Sequence, residues 1–258
     1  MNPEKALLKT IEKEEKKENL ANLKEFLNQA SKRMRKEGIP VRPNCRIEMD
    51  AFGEIYGVQE IERDKREIQR WEETWGEISE RCLGEQLEML KTGIFNKFLP
   101  DNFVTVRASR FDDIKNGADN VIIDRRNGNL VCALDEVGEL QGERFEAKKG
   151  QVLDKNNKGG VILKYALTVK NGQITPSQAV QGIPIFYLAL SPEYIGRGIR
   201  EFVVSSDNPP SDYERKIFDY FISSLDAQIK ATELNRNLKE GLRERLRLFK
   251  ETIGQIKH

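Results

Sequence analysis

FVTVRASRFDDIKNGADNVIIDRRNGNLVCALDEV, residues 103–137, contains three short apolar runs, 103–106, 121–123 and 130–134, separated by Gly, Asn and Asp. Runs of this length, rich in β-branched side chains and bounded by turn formers, read as strands. Asn127-Gly128 tolerates the positive φ of a two-residue hairpin turn, so the second and third runs are expected to be antiparallel neighbours. In the third run Val131, Ala133, Asp135 and Val137 share one face at the two-residue period, with Cys132, Leu134 and Glu136 on the other. Whichever face meets the core, one acid lies beside apolar side chains. Two of the runs carry an aspartate at an end, the pattern of a small sheet that presents carboxylates along one edge.

Composition narrows what such an edge can do. The chain has 258 residues, 33% of them charged, with a net charge of +1. It is long enough for one large domain or for one domain with helical appendages. Bulk charge selects neither a nucleic-acid binder nor a binder of acidic ligands, so any such surface must be local. Cys45, Cys82 and Cys132 are far apart and odd in number, which argues against a disulfide framework and a CxxC zinc site and fits a reducing cytosol. The only histidine is His258, which removes His-dependent triads and most zinc sites and leaves carboxylates and lysines as catalytic groups. The first thirty residues are too charged for a signal peptide, and the longest apolar run, 183–190, is too short to span a bilayer; a cytoplasmic protein without membrane contact is expected.

Upstream of the strands, residues 4–37 read as a Lys/Glu-rich helix with Leu20, Leu23, Leu27, Ala30 and Met34 along a narrow apolar seam that needs a partner surface. Gly38, Pro40, Pro43 and Gly53 then mark a loop. Residues 58–97 are helical in pattern, with a stripe of Ile68, Trp71, Trp75, Ile78, Cys82, Glu85 and Met89. Glu85 stands where the period calls for an apolar side chain, and a carboxylate there needs a counter-charge or a cation. The two tryptophans read as core.

Downstream, 143–154 reads as a helix with Phe145, Lys148, Lys149 and Val152 on one face. The runs 161–169 and 183–190 read as strands, the latter central and covered on both faces, and Asn171-Gly172 as a second hairpin turn. Gly196-Arg197-Gly198 reads as a turn rather than a phosphate loop. After Asn208-Pro209-Pro210, two helical patterns fill 211–258, the first with Ser211 or Asp212 as cap. The second carries Leu238, Leu242, Leu246, Phe249, Ile253 and Ile256, with Arg243, Arg245, Arg247 and Lys250 on its other faces; it is expected to lie along the N-terminal helix, the alternatives being a nucleic-acid clamp or an oligomer seam. The divisions are therefore a helical arm and loop (1–57), an α/β core (58–206) and C-terminal helices packing on the arm or core (207–258).

A glutamate on a helix (Glu85), a strand, a second strand starting at Asp119 in Gly117-Ala118-Asp119-Asn120, and a third ending in Asp135 resemble the restriction-endonuclease-like, or PD-(D/E)-x-K, nuclease superfamily over roughly residues 78–190. The resemblance implies a mixed four- or five-stranded sheet, here with long terminal helices, and metal-dependent hydrolysis of phosphodiesters in DNA or RNA. It implies Glu85, Asp119 and Asp135 as ligands of Mg²⁺ or Mn²⁺. Pro does not precede Asp119, and Val137 stands where the family has its lysine. The assisting lysine must then come from Lys148 or Lys149 on the following helix, or from Lys164 in Val161-Ile162-Leu163-Lys164-Tyr165.

Hard oxygen ligands suit Mg²⁺, which polarises a phosphoryl oxygen and activates a water while a lysine steadies developing charge. Arg107, Arg110, Lys115, Arg125 and Arg126 surround the acids as candidate phosphate contacts, although Asp112, Asp113 and Asp124 interleave with them. Asp112 and Asp113 are alternative ligands. The competing class is a nuclease-like fold with a degraded site, acting as a nucleic-acid-binding or protein-interaction scaffold. Its terminal helices would engage a protein partner or a second copy, and Val137 favours it.

Overall fold

The computed structural model describes residues 3–75, 83–202 and 209–256. Ile78 and Cys82 of the expected stripe, and His258, fall outside them. Helix α1 (Pro3–Lys36) leads through a loop to the short α2 (Gly53–Tyr56), α3 (Val58–Trp75) and α4 (Leu83–Phe98). Next come β1 (Phe103–Arg107), α5 (Arg110–Asn116), β2 (Asn120–Asp124), β3 (Leu130–Val137) and α6 (Glu143–Asn157). The short strands β4 (Val161–Leu163), β5 (Leu167–Lys170), β6 (Gln173–Pro176) and β7 (Val180–Ile183) precede β8 (Ile185–Ala189). Helices α7 (Pro192–Glu201), α8 (Asp212–Glu233) and α9 (Glu240–Ile256) follow.

The fold is α/β, built on a mixed sheet in the order β1-β2-β3-β8. β1, β2 and β3 run antiparallel in sequence, and β8 returns parallel to β3. A parallel return needs a crossover, and α6 with the two small ribbons β4/β7 and β5/β6 supplies it. On one face α4 and α8 bury Leu87, Leu90 and Phe95 against Phe218 and Phe221. On the other face α6 sets Phe145 edge-on against Tyr187 of β8. The strands are buried on both faces, as their near-continuous apolar sequence requires.

β8 is at the edge of the sheet rather than central. Its outer backbone groups are nevertheless satisfied. The Asn156 side-chain amide of α6 exchanges two hydrogen bonds with Ile185, and the Gln228 amide of α8 does the same with Tyr187. Two amides thus do the work of a fifth strand and close an edge that would otherwise be sticky.

Other local expectations are corrected for identifiable reasons. The loop between β2 and β3 spans 125–129, longer than two residues, and only Gly128 has positive φ, at 72°. Asn171 and Gly172, at 55° and 75°, do form the tight turn between β5 and β6. The run 161–169 is interrupted because the buried Asp112 carboxylate captures the N–H groups of Lys164 and Tyr165 at 2.7 and 3.0 Å. The run 183–190 begins beyond Pro184, which divides β7 from β8 because it has no N–H for the ladder.

Gly196-Arg197-Gly198 lies inside α7, where a Cβ on Gly198 would meet Leu90 and Ile217 at 2.7 and 2.9 Å. The seam of α1 packs on α4 and α7, with Phe26 edge-on to Phe202 at 4.9 Å between centroids. α9 does not lie along α1; it packs on α8, β3 and β7, its Phe249 against Phe186. The described part of the 58–97 pattern is two separate helices, α3 and α4.

Gly128→Ala tests the loop closure. An added Cβ would lie 2.2 Å from the Val169 backbone nitrogen, whereas one on Gly172, at a similar φ, meets nothing within 4 Å. Gly172→Ala should lose about 1–2 kcal/mol from left-handed strain alone. Gly128→Ala should lose at least about 1–3 kcal/mol more, read as the difference in urea midpoints at equal slope.

Candidate active site

Asp119 precedes β2, and the β2–β3 register that sets Asn120 opposite Leu134 brings Asp119 beside Asp135. The N–H of Glu136 is shared between them, 3.0 Å from Asp119 Oδ2 and 2.9 Å from Asp135 Oδ1. Two oxygens on one donor at those distances lie within about 6 Å of each other. Lys148, one and a half turns into α6, places Nζ 2.7 and 2.9 Å from the two oxygens of Asp135. These three side chains line an open cleft of about 480 Å³, together with Glu85, Glu88, Asp113, Glu136 and Lys155.

Every carboxylate of this cleft but one has a basic partner. Arg107, at the end of β1, is 1% exposed and donates Nε to Glu88 at 2.6 Å and Nη2 to Glu85 at 2.5 Å. Arg46 reaches Glu88 at 3.1 Å and Asp113 at 3.0 Å. Arg110 also holds Asp113, at 2.8 Å. The fully buried Lys91 is paired with Glu136. Asp119 has no ion pair among the described residues.

The protonation balance follows from that layout. Burial opposes charge on Glu88, but Arg107 and Arg46 outweigh it and hold the carboxyl down at about 2. Burial, then the charges of Asp135 and Glu88, push Asp119 up to about 6. Burial, then Asp119 and Glu88, do the same to Asp113. Glu136 is pushed well above the carboxylate range by burial and by Asp119, which Lys91 only partly offsets. Glu85 is raised by burial and Glu88 in spite of Arg107. On Lys148 burial is outweighed by Asp135, which raises its pKa and keeps it cationic.

The structure brings Asp119, Asp135, Glu85 and Lys148 to one cleft and leaves other sequence candidates elsewhere. Lys164 is committed to Glu60 and Asp64, both at 2.6 Å, under the rings of Tyr56, Phe111 and Tyr165. Lys149 is exposed and pairs with Glu146. Arg107 is an internal counter-ion, too buried to reach a phosphate. Arg110 and Lys115 do line the cleft but pair with Glu72 and Glu67 of α3. Arg125 and Arg126 pair with Glu37 and Asp124 at the far end of β2, five residues and about 17 Å from Asp119. Asp112 is no ligand: Ser109, Asn116 and two backbone N–H groups occupy its carboxylate.

Glu88, Lys91, Arg46 and Lys155 were not singled out from sequence. The first two were within reach of it, since Glu85, Glu88 and Lys91 recur at three-residue spacing on one side of α4. Among the described residues no three acidic, histidine or cysteine side chains form a ready-made metal shell.

The chain matches no protein-family model, and no curated protein or solved structure gives a significant match.

The crowding of Asp119 has a measurable consequence. Its folded-state carboxyl keeps a proton up to about pH 6, whereas the unfolded group releases it near pH 3.9. The folded state therefore binds more protons in that window, and this contribution to stability is present at low pH and lost as pH rises from about 4 to about 6. Asp119→Asn keeps an acceptor for the Glu136 N–H and removes the charge. It should stabilise the protein by about 1–3 kcal/mol at pH 7.5, with the gain vanishing toward pH 4, in thermal unfolding across that range.

Proposed function

We propose that the cleft hydrolyses phosphodiester bonds of nucleic acid with a divalent cation held by Asp119 and Asp135. The observation that carries this reading is the pair of convergent carboxylates with Lys148 on one of them, and with Asp119 left without a cation. The order of elements also supports it. A helix (α4), three antiparallel strands (β1–β3), a crossover helix (α6) and a parallel strand (β8) follow the restriction-endonuclease-like plan. In that plan the acids belong on the second and third strands.

The donor set fits Mg²⁺ or Mn²⁺. Such ions are commonly held by one or two carboxylates, the remaining positions being filled by water and substrate oxygens. The Asp135 charge, which with burial raises the affinity of Asp119 for a proton, also raises its affinity for a metal. A bound ion would polarise a phosphoryl oxygen and acidify an attacking water. Lys148 supplies the fixed positive charge the family takes from the strand: from α6 it reaches Asp135, while Val137 is buried. It orients the nucleophilic water and steadies charge at the phosphorus-bound oxygens. Glu85 is held by Arg107, so its part is to position that guanidinium and the neighbouring carboxylates rather than to ligate.

One observation favours the scaffold reading: Glu85 and Glu88 are already neutralised by Arg107 and Arg46. Such a protein would bind nucleic acid or a protein partner without cleaving.

Purified protein should cleave single- or double-stranded DNA or RNA with Mn²⁺ or Mg²⁺ and not with EDTA. Asp119→Asn, Asp135→Ala and Lys148→Ala should each cut the rate by at least about 100-fold, while Lys149→Ala keeps it. Mn²⁺ should raise the unfolding midpoint of the wild type and not of Asp119→Asn. Inertness on all substrates with no metal-dependent shift leaves the scaffold reading.

A further inference from the structure

Outside the cleft, several basic groups with no acidic partner among the described residues surround the start of α9. A groove of about 570 Å³ runs between α9, β7 and the end of α6, lined by Gly159, Gly182, Lys239, Leu242, Arg245 and Arg247 among others. Among the described residues Lys239, Arg245 and Arg247 have no carboxylate within ion-pair reach, in contrast to the basic groups around the cleft.

Arg245 is the telling member. It is partly buried, burial lowers its pKa, and its one hydrogen bond is a long 3.4 Å contact to the Leu130 carbonyl. It also lines a second, smaller cavity of about 150 Å³ beside the β2–β3 loop, whose walls include Asp124 and Glu251. A partly desolvated guanidinium without a counter-ion is held in position for an anion from outside.

We infer that this groove binds the phosphodiester backbone of nucleic acid, as an anchoring surface separate from the cleft. The choice of ligand rests on the proposed function; the groove itself does not. Two features favour a polymer over a single anion. From Lys239 to Arg247 is eight residues, about 12 Å along a helix, a span longer than one phosphate group can bridge. The groove also lies near the cleft along the chain, since Lys155 of the cleft wall and Gly159 of the groove are four residues apart across the end of α6. The positive φ of Gly159 and its lack of a side chain let Lys239 cross there, where a Cβ would come 2.6 Å from its Cδ.

Anisotropy titrations of labelled 30-mer single-stranded and duplex DNA and RNA, in EDTA so that nothing is cleaved, test this. The variants are Lys239→Glu/Arg247→Glu, both exposed positions, and Arg245→Ala, with far-UV circular dichroism to confirm folding. Either should weaken binding at least tenfold. The double variant should also flatten the slope of log affinity against log salt by about 1.4–1.8, the loss of two phosphate contacts. Lys230→Ala, an exposed lysine of α8 that pairs with Asp226, should bind like the wild type, and because only binding is read the groove is tested even if no cleavage is ever seen. Unchanged affinity and slope in folded Lys239→Glu/Arg247→Glu overturns the inference. So does absence of binding to every oligonucleotide, or displacement by inorganic phosphate beyond that of chloride at equal ionic strength.

Discussion

The guanidinium of Arg107 is the charge on which the architecture depends. A cation this deep costs several kcal/mol unless its hydrogen bonds are met by anions. α4 meets them with Glu85 and Glu88, one turn apart. Satisfying Arg107 fixes the rotation of α4 over the end of β1. Lys91, one turn further along the same helix, pairs with Glu136 of β3 and ties α4 to a second strand. The apolar face of α4 then meets the sheet in a single register, since any rotation would strand three buried charges. Fastening the helix this way has a chemical cost. Burial and the neighbouring Asp135 and Asp119 charges drive Asp119 and Asp113 up to about 6, and the charge of Glu88 brought toward them adds to that. The interaction that closes the core therefore also adds to the excess of negative charge a divalent cation would relieve.

What could be read from sequence was what depends on nearest neighbours. Strand positions, the Asn171-Gly172 turn, the seam of α1 and the placement of Lys148 on the Asp135 side of α6 all follow from two- or 3.6-residue periods. What could not be read were partners. Arg110 and Lys115 looked like free phosphate contacts because Glu72 and Glu67 are 38 and 48 residues away. Lys164 looked available because Glu60 and Asp64 are 104 and 100 residues upstream. Glu85 stands out as an anomaly in an apolar stripe, yet its explanation, Arg107, lies on the next strand and reads from sequence as a phosphate contact. Pro184 and Asp112 show a further limit: a continuous apolar run does not stay one strand when a missing N–H or a buried carboxylate intervenes.

Under the proposed function, Val137 stands where the resemblance places a lysine, and the charge beside Asp135 comes from Lys148 instead. Asp135 and Val137 face the same side of β3, the side covered by α6. A lysine at 137 would need room under that helix, and Val137 packs there instead. A helix laid across a strand can deliver its own side chain to the same spot, and Lys148 does so while its stem covers apolar surface. On this account the charge next to Asp135 is a property of the α6–β3 interface, and the identity of residue 137 is a matter of packing.

The cations of the cleft then fall into two kinds by burial. Arg107 and Lys91 are sealed among their acids and serve the fold. Lys115 and Arg110 face the opening, and their partners on α3 are about a third exposed. Exposed ion pairs of this sort contribute about 0–1 kcal/mol, because water and salt compete with them. A backbone phosphodiester carries one negative charge on two non-bridging oxygens, as a glutamate does on its two, so under the proposed function it would exchange with Glu67 and Glu72 at little loss. Under the proposed function, the acidic face of α3 would hold those basic side chains at the cleft until a substrate backbone took its place.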